Sequence, residues 1–485
     1  MQWTTNLTPE LKISRIITGL WQIADMERDG NTLNTRDTAE FMKDYATAGF
    51  TTFDMADHYG SSEIIAGSFK NNYPKGDNIQ LFTKWVPQPG KISKKKVRHA
   101  VELALERMQQ DSIDLMQFHA WHYPDASWLD GLFYLKELKD EGLIKHLGVT
   151  NFDSAHLRIA VASGIPIVSN QICHSLIDQR ANGKMIDVCD EYGVKILAFG
   201  TLAGGFLSDR WLGKTAPTPS DLKTWSQMKY KRFIDAAGGW EPYQNVLQTL
   251  KKVADKHDAS IANIASRYIL ENKAVAGVIV GARLGASEHI NDNKRVVEID
   301  LQPEDITMIK EAQSGLEPIP GDCGDEYRKP PFLTASGDLS HHLKTIPKTF
   351  GPIKTRANRA QVFSGTVWED FAGYCRAVKE GNRIHVSGTT ATHGDLMIGG
   401  RDPAAQAHFV IDKIEGAIES LGGTLADVVR TRIFVNNLDD WEAVARAHGE
   451  RFEGINPANT LVEARLVGEG YLVEIEAEAV LEEEV

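Results

Sequence analysis

The sequence predicts an α/β fold: a TIM-type (β/α)8 barrel followed by a small α+β domain. Three observations carry that prediction. Eight short apolar runs alternate with amphipathic stretches through the first two-thirds of the 485 residues, and eight parallel βα units are the number that closes a barrel. The rival architecture, an open doubly wound sheet, usually places Gly-x-Gly-x-x-Gly straight after an early strand. The sequence has no such motif. Beyond Gln361 the alternation stops and a different pattern begins.

The eight strands are predicted over Arg15–Gln22, Thr51–Ala56, Ile79–Trp85, Ile113–His119, Ile144–Asn151, Pro166–Ile172, Lys195–Gly200 and Ala274–Gly281. Between them, Lys94–Met108 puts Val97, Val101, Ala104, Leu105 and Met108 on one helical face. Trp128–Asp140 does the same with Leu129, Leu132, Leu135 and Leu138, and Gly142 follows as a stop. A long excursion, Phe206–Glu241, separates the last two strands; connections of that length are often lids or binding loops. From Glu317 to Thr349 the composition shifts to Pro, Gly, Asp and His, and the prolines from Pro318 to Pro352 forbid long helices and central strands. The second domain then reads as strand Arg383–Ser387, helix Ala404–Leu421, strand Val428–Asn436, helix Trp441–Phe452 and strand Tyr471–Leu481. These readings divide the chain into a barrel over 1–345, a linker over 346–360 and a small domain over 361–485.

Composition sets bounds on function. With 53 Lys plus Arg against 66 Asp plus Glu, the net charge is −13, which disfavours a nucleic-acid partner. The longest apolar run, Ala274–Ala282, falls well short of the ~18 residues of a membrane span. Met1-Gln2-Trp3-Thr4-Thr5 lacks the basic and apolar regions of a secretory signal, so a cytoplasmic location is expected. Cys173, Cys189, Cys323 and Cys375 are scattered and read as buried free thiols. His119-x-x-His122 and His341-His342 have no third and fourth ligand at sensible spacing, so no metal is expected.

In such a barrel, residues at the carboxyl ends of strands face the active site. Asp54, Lys84 and His119 end the second, third and fourth strands, and Tyr59 follows Asp54 on its loop. A phenol titrating near pH ~10 is a poor proton donor at neutrality. A neighbouring ammonium lowers that value, and a buried ammonium in turn needs a carboxylate. Tyr59, Lys84 and Asp54 therefore form a coherent proton-donating set, with His119 placed to orient a substrate oxygen. Trp21, Trp85 and Trp121 follow strand ends and are expected to line an apolar pocket.

This constellation resembles the aldo-keto reductase family over about residues 10–345. Further matching segments follow in chain order: Gly148-Val149-Thr150-Asn151-Phe152, Ser169-Asn170-Gln171, Ala198-Phe199-Gly200-Thr201-Leu202 and Val280-Gly281-Ala282-Arg283. The resemblance implies NADPH bound without a Rossmann motif. Asn151 beside Thr150, together with Gln171, would hold the nicotinamide amide, and Phe199 would stack on the ring. Gly200, Thr201 and Leu202 would follow along the cofactor. Gly281, Arg283, Glu288 and Asn293 would meet the adenosine end, with Arg283 on the 2′-phosphate. The implied reaction reduces a small aldehyde or ketone to an alcohol.

The last domain resembles the Rid family, the YjgF-like reactive-intermediate deaminases, which implies a chorismate-mutase-like fold. Gly373-Tyr374-Cys375-Arg376-Ala377, Val386-Ser387-Gly388-Thr389-Thr390, Asp427-Val428-Val429-Arg430-Thr431 and Val473-Glu474-Ile475-Glu476-Ala477 carry the match. The resemblance implies a homo-oligomer, a trimer or hexamer, with clefts lined by Tyr374, Thr390, Asn459 and Glu476. Asn459 stands where the family holds a substrate carboxylate with Arg, and a neutral amide makes no bidentate charged pair. An oligomerisation or ligand-binding module is therefore expected in place of a deaminase. Two alternatives differ in class: a cofactor-sensing binding protein like potassium-channel β subunits, and a bifunctional enzyme whose Rid domain hydrolyses an imine or enamine while the barrel reduces the product.

Overall fold

A computed structural model describes residues 2–24, 33–285, 289–328, 343 and 345–482. The chain opens with an antiparallel hairpin, β1 (Thr4–Thr8) and β2 (Leu11–Ser14). Its Leu7, Leu11 and Ile13 join Ile17, Phe82, Leu115 and Leu197 in one interior cluster. Eight parallel strands then close a barrel: β3 (Ile16–Gly19), β4 (Thr52–Asp54), β5 (Gln80–Trp85), β6 (Ile113–Phe118), β7 (Ile144–Thr150), β8 (Ile167–Cys173), β9 (Lys195–Phe199) and β10 (Val275–Gly281). β10 pairs with both β9 and β3, which completes the ring. All eight predicted strands are present. The first is shorter than predicted, because the Trp21 carbonyl accepts from Ala24 N at 2.9 Å and turns the chain.

Helices α1 (Thr35–Thr47), α2 (Ser62–Asn72), α3 (Lys94–Met108), α4 (Ser127–Asp140), α5 (Ser154–Ala162) and α6 (Lys184–Tyr192) alternate with the strands. α3 buries the five residues its periodicity predicts; Ser93 caps its start, and Gln109 ends it at φ 52°. The excursion after β9 carries α7 (Trp225–Ala236), followed by α8 (Trp240–Lys256) and α9 (Ile261–Ile269). After β10 come α10 (Ile290–Glu298), α11 (Pro303–Gln313) and the single turn α12 (Asp325–Arg328).

The C-terminal domain is a seven-stranded sheet with helices on one face. It contains β11 (Ile353–Arg356), β12 (Arg359–Val362), β13 (Ala377–Glu380), β14 (Arg383–Thr390), β17 (Val428–Val435), β18 (Ala458–Glu463) and β19 (Val473–Val480), in the order β11-β12-β13-β14-β19-β17-β18. A small ribbon, β15 (Thr392–His393) with β16 (Leu396–Met397), stands apart, and α13 (Val367–Ala372) precedes β13. β19 alternates strictly: Val473, Ile475, Ala477 and Ala479 are buried toward α14 (Pro403–Ser420), while Glu474, Glu476 and Glu478 are half-exposed on the opposite face. α15 (Trp441–Arg451) packs on α14. Residues 346–360, read as a linker, contain most of the β11–β12 hairpin. Pro352 immediately precedes an edge strand, where a missing N–H costs nothing.

The two domains dock through α5. His156 Nε2 lies 3.0 Å from Asp412 on α14, and Arg158 and Tyr192 both meet Asp402 at 2.5 Å. A Cβ at Gly416 would sit 2.9 Å from the Pro124 carbonyl, so this position of α14 requires glycine for the close approach. Three cysteines are buried as expected, and Cys375 is half-buried. Among the described residues no helix is long and apolar enough to cross a membrane, and no three His, Cys, Asp or Glu cluster as metal ligands. His122 pairs with Glu419 at 3.3 Å, and His341-His342 lie outside the described residues.

Candidate active site

A cavity of about 670 Å³ opens at the carboxyl ends of the barrel strands, within the ordinary range for ligand sites. Asp54, Tyr59, Lys84 and His119 all line it. Parallel pairing aligns the ends of β4, β5 and β6, which brings residues 30 or more positions apart in sequence onto one floor. Lys84 Nζ donates to Asp54 Oδ2 at 2.6 Å and to the Met55 carbonyl at 2.8 Å, and both side chains are buried. Burial pushes the Lys84 ammonium below its ordinary value, and Asp54 opposes that shift. Asp54 Oδ1 accepts from Gln117 at 3.0 Å and Gln171 at 2.8 Å. The carboxylate is thereby fixed from three sides.

Lys84 Nζ stands 5.1 Å from the centre of the Tyr59 ring. The loop carrying Tyr59 is tied down on both flanks. Asp57 Oδ2 accepts from Val86 N at 3.1 Å, and Arg107 donates to the Asp57 carbonyl at 3.1 Å and to buried Glu63 at 3.2 Å. Trp21 meets Tyr59 edge-on with centroids 5.0 Å apart. His119 lies beneath Trp121, centroids 4.3 Å apart, with Nδ1 3.3 Å from the Thr150 carbonyl. Trp21 and Trp121 line the cavity. Trp85 does not: it is buried against Phe118, 5.6 Å away, because its position in β5 points it outward into the helix layer.

Thr150, Asn151, Gln171, Phe199, Gly200, Thr201, Leu202, Gly281, Arg283 and Asn293 all border the same cavity, and Glu288 lies outside the described residues. Asn151 holds φ 58°, a left-handed conformation that Asn tolerates better than most residues. Its N–H donates to the Gln171 carbonyl at 2.9 Å. Gln171 spends its Nε2 on Asp54 and on Gln117 at 2.9 Å, so its Oε1 is the atom it can offer a ligand. Gly200, at φ 72°, leaves no space for a Cβ, which would fall 2.3 Å from the Tyr230 hydroxyl.

Two buried polar atoms on this wall, Asn151 Oδ1 and Thr201 Oγ1, have no hydrogen-bond partner in the protein. Buried polar groups are ordinarily paired, so this edge of the cavity fits an elongated polar group that would satisfy both. A family model described as "Aldo/keto reductase family" matches residues 15–314. The chain belongs to the aldo-keto reductase family. A second family model, described as "Endoribonuclease L-PSP", matches residues 368–481, the Rid/YjgF domain.

A flagellar radial spoke protein of Chlamydomonas reinhardtii is 26% identical over 44% of this chain, which spans about half (49%) of that relative's length. The NADH-specific methylglyoxal reductase of Escherichia coli is 23% identical over 64% of the chain and 98% of its own length. The solved structure of a thermostable aldo-keto reductase with the inhibitor epalrestat matches 64% of the chain at 23% identity with a TM-score of 0.51. That likeness shows the fold. Family membership supports carbonyl reduction with a nicotinamide cofactor.

The cavity also holds residues the sequence did not single out. Behind its floor, Gln117, two positions before His119 on the same face of the strand, holds Asp54 and Gln171. Lys229 and Tyr327 come from α7 and α12. For Lys229 the only signal was the length of the excursion that carries it.

In the Rid-like domain, Tyr374 accepts from Arg376 at 3.3 Å, and the Thr390 hydroxyl meets that of Thr392 at 3.0 Å. Glu476 pairs with Arg432 on the open face. Asn459 does not join it. Its amide donates at 2.9 Å to Thr431, a buried residue on the helix side that also bonds His448. Thr431 and Arg432 are successive residues of β17, so their side chains point to opposite faces, and Asn459 and Glu476 follow them apart.

Proposed function

We propose that the barrel reduces an aldehyde or ketone to the alcohol using NADPH, through Tyr59, Lys84, Asp54 and His119. The observation that carries this is the buried Lys84–Asp54 pair, 2.6 Å apart, beneath the Tyr59 ring and beside His119. Asn151, Gln171, Phe199, Thr201 and Arg283 would hold the cofactor. When bound, a reduced nicotinamide supplies the hydride for the carbonyl carbon. His119 holds the carbonyl oxygen in place, and Tyr59 gives that oxygen its phenolic proton. The Lys84 charge steadies the phenolate left behind, and Asp54 keeps Lys84 charged in a site that burial would otherwise neutralise. Purified full-length chain should oxidise NADPH in the presence of small aldehydes and ketones, followed by cofactor absorbance. Tight NADPH binding with no turnover across a broad carbonyl panel would overturn the reading.

The preference for NADPH rests on Arg283, which is exposed at the cavity rim near Asn293 and has the planar fork suited to phosphate. Arg283→Ala is expected to raise the KM for NADPH about tenfold and to leave that for NADH nearly unchanged. Equal loss with both cofactors would remove the 2′-phosphate assignment.

The Rid-like domain serves assembly or ligand binding in this reading, as a trimer or a pair of trimers. Supporting this, Trp368, Phe371, Val462 and Val467 are exposed apolar side chains of that domain. The separation of Asn459 from Glu476 speaks against a deaminase cleft within one chain. Sedimentation should give the mass of three or six chains; a monomer at micromolar concentration would refute the assembly.

A further inference from the structure

Lys229 is a buried cation on the wall of the active-site cavity, only 7% exposed. Its Nζ donates to the Tyr327 hydroxyl and lies 4.3 Å from the centre of that ring, with the Phe199 ring at 5.4 Å. Among the described residues no carboxylate lies within ion-pairing distance of it. The acids of the same corner, Asp178 and Glu326, are engaged by Arg180 at 2.7 and 2.9 Å. The contrast with Lys84 is direct, since that other buried ammonium of the cavity has Asp54 at 2.6 Å. Aromatic faces attract a cation only weakly compared with the cost of taking it out of water. Buried charges are ordinarily paired. Lys229 thus lacks one anion, and the space it borders is the space a substrate enters.

The position of that space fixes what the anion is attached to. The Tyr327 ring neighbours both groups: its centroid is 4.3 Å from Lys229 Nζ and 5.8 Å from that of His119. An anionic group seated on Lys229 and the Tyr327 hydroxyl would therefore belong to a molecule whose carbonyl lies at His119 and Tyr59. We propose that Lys229, with Tyr327, is a substrate-carboxylate seat, and that the preferred substrates are oxo carboxylates rather than neutral carbonyls. The carboxylate supplies the missing counter-ion and charge-assisted hydrogen bonds. It also orients the substrate, since two fixed points leave little rotational freedom. This rests on the carbonyl-reductase reading for the position of the carbonyl, but the anion seat itself does not.

The test compares each acid with its own methyl ester, the short pyruvate with methyl pyruvate and the longer 4-oxobutanoate with methyl 4-oxobutanoate, in the full-length protein. The wild type should favour at least one acid over its ester in kcat/KM by about tenfold to a hundredfold, the range set by one charged hydrogen bond. Lys229→Met should collapse that ratio toward one, and Lys229→Arg should retain much of it. A wild-type ratio at or below one for both pairs overturns the proposal even if the variant fails to fold. So does an unchanged ratio in Lys229→Met. A weakened NADPH dissociation constant in Lys229→Met, with the ratio intact, would assign the ammonium to a cofactor phosphate instead. Calorimetric titration of the NADP complex with the same acids separates the two readings. Binding that is lost in Lys229→Met without any turnover in the wild type would uphold the seat and sink the reductase. Turnover of esters without any acid preference would do the reverse.

Discussion

Tyr59→Phe is expected to lower kcat for carbonyl reduction by about 10²–10⁴-fold, the usual contribution of a positioned general acid. The substitution isolates one atom. The ring remains to pack edge-on against Trp21, 5.0 Å away, and His58, 4.8 Å away. The Lys84–Asp54 pair beneath it keeps its geometry, because Asp54 is held independently by Gln117 and Gln171. Only the proton and its oxygen are removed. Single-turnover and steady-state rates with a saturating aldehyde would measure the loss, with the NADPH dissociation constant as the control for an intact cavity. If kcat falls less than tenfold while cofactor binding is preserved, the proton comes from elsewhere, and His119 becomes the donor to examine.

A pH profile adds a second signature to the same experiment. Burial holds the Lys84 ammonium below its ordinary value, with Asp54 opposing the shift. The charge that supports the phenolate is therefore lost at lower pH than a surface lysine would lose it. In the wild type, kcat should fall on the alkaline side before the range where lysines ordinarily titrate. Tyr59→Phe should flatten that limb, since no phenolate remains to be supported. An alkaline limb of unchanged shape in the variant would separate Lys84 from the proton transfer.

The barrel and the floor of its site are legible in the sequence because both follow from local rules. Apolar runs fix the strands, and parallel strands in register place their last residues side by side. Asp54, Lys84 and His119 thus come together without any information beyond spacing. Asn151, Gln171 and Phe199 are singled out by the family resemblance and not by spacing, and they border the same cavity. What is not legible depends on tertiary docking. Trp85 is one residue beyond Lys84, and a single step along a strand moves its ring from cavity to core. Lys229 and Tyr327 are 98 residues apart and meet only because α7 and α12 fold over one rim. The β11–β12 hairpin is obscured by the prolines before it, since an edge strand tolerates what a central strand forbids. Asn459 looks like a cleft residue by motif, but pairing of β18 with β17 turns it toward the helices.

Asp412→Ala is expected to cost about 3–5 kcal/mol of stability, the typical price of stranding a buried charge, and to loosen the docking of the two domains. Asp412 on α14 accepts from Arg451 at 2.6 Å and faces His156 Nε2 at 3.0 Å, while His156 Nδ1 lies 2.6 Å from Asp153. The imidazole is stacked flat on Tyr123, centroids 3.4 Å apart. Arg451 also reaches Glu415 at 2.6 Å, so the cluster is a network of two cations and three acids. Burial would raise the Asp412 carboxyl, but the His156 and Arg451 charges outweigh it and hold it low. Burial would lower His156, but Asp153 and Asp412 outweigh it and hold it high.

The signs then bound a pH window. The Asp412 contribution is present above the ordinary carboxylate value and is lost as pH falls through its depressed one. The His156 contribution is complete below the ordinary imidazole value near pH ~6.5 and fades as pH rises through its raised one. Docking should therefore be strongest in mildly acidic solution and weaken toward both extremes. Urea or calorimetric unfolding of a two-domain chain resolves this as one transition splitting into two when the interface fails. Asp412→Ala should split the transition across the whole range, and His156→Phe should remove the alkaline weakening specifically. The double variant His156→Phe/Asp412→Ala should lose less than the two single losses added together, because each single variant already removes the His156–Asp412 contact and the double removes it once. Strict additivity would mean that His156 and Asp412 do not act as a pair, and that the domains are held instead by Arg158, Tyr192 and Asp402. Because α5 begins three residues beyond Asn151 on the cavity wall, the same variants report whether docking reaches the site. A rise in the NADPH dissociation constant that tracks the splitting of the transition would tie the second domain to cofactor binding through this helix.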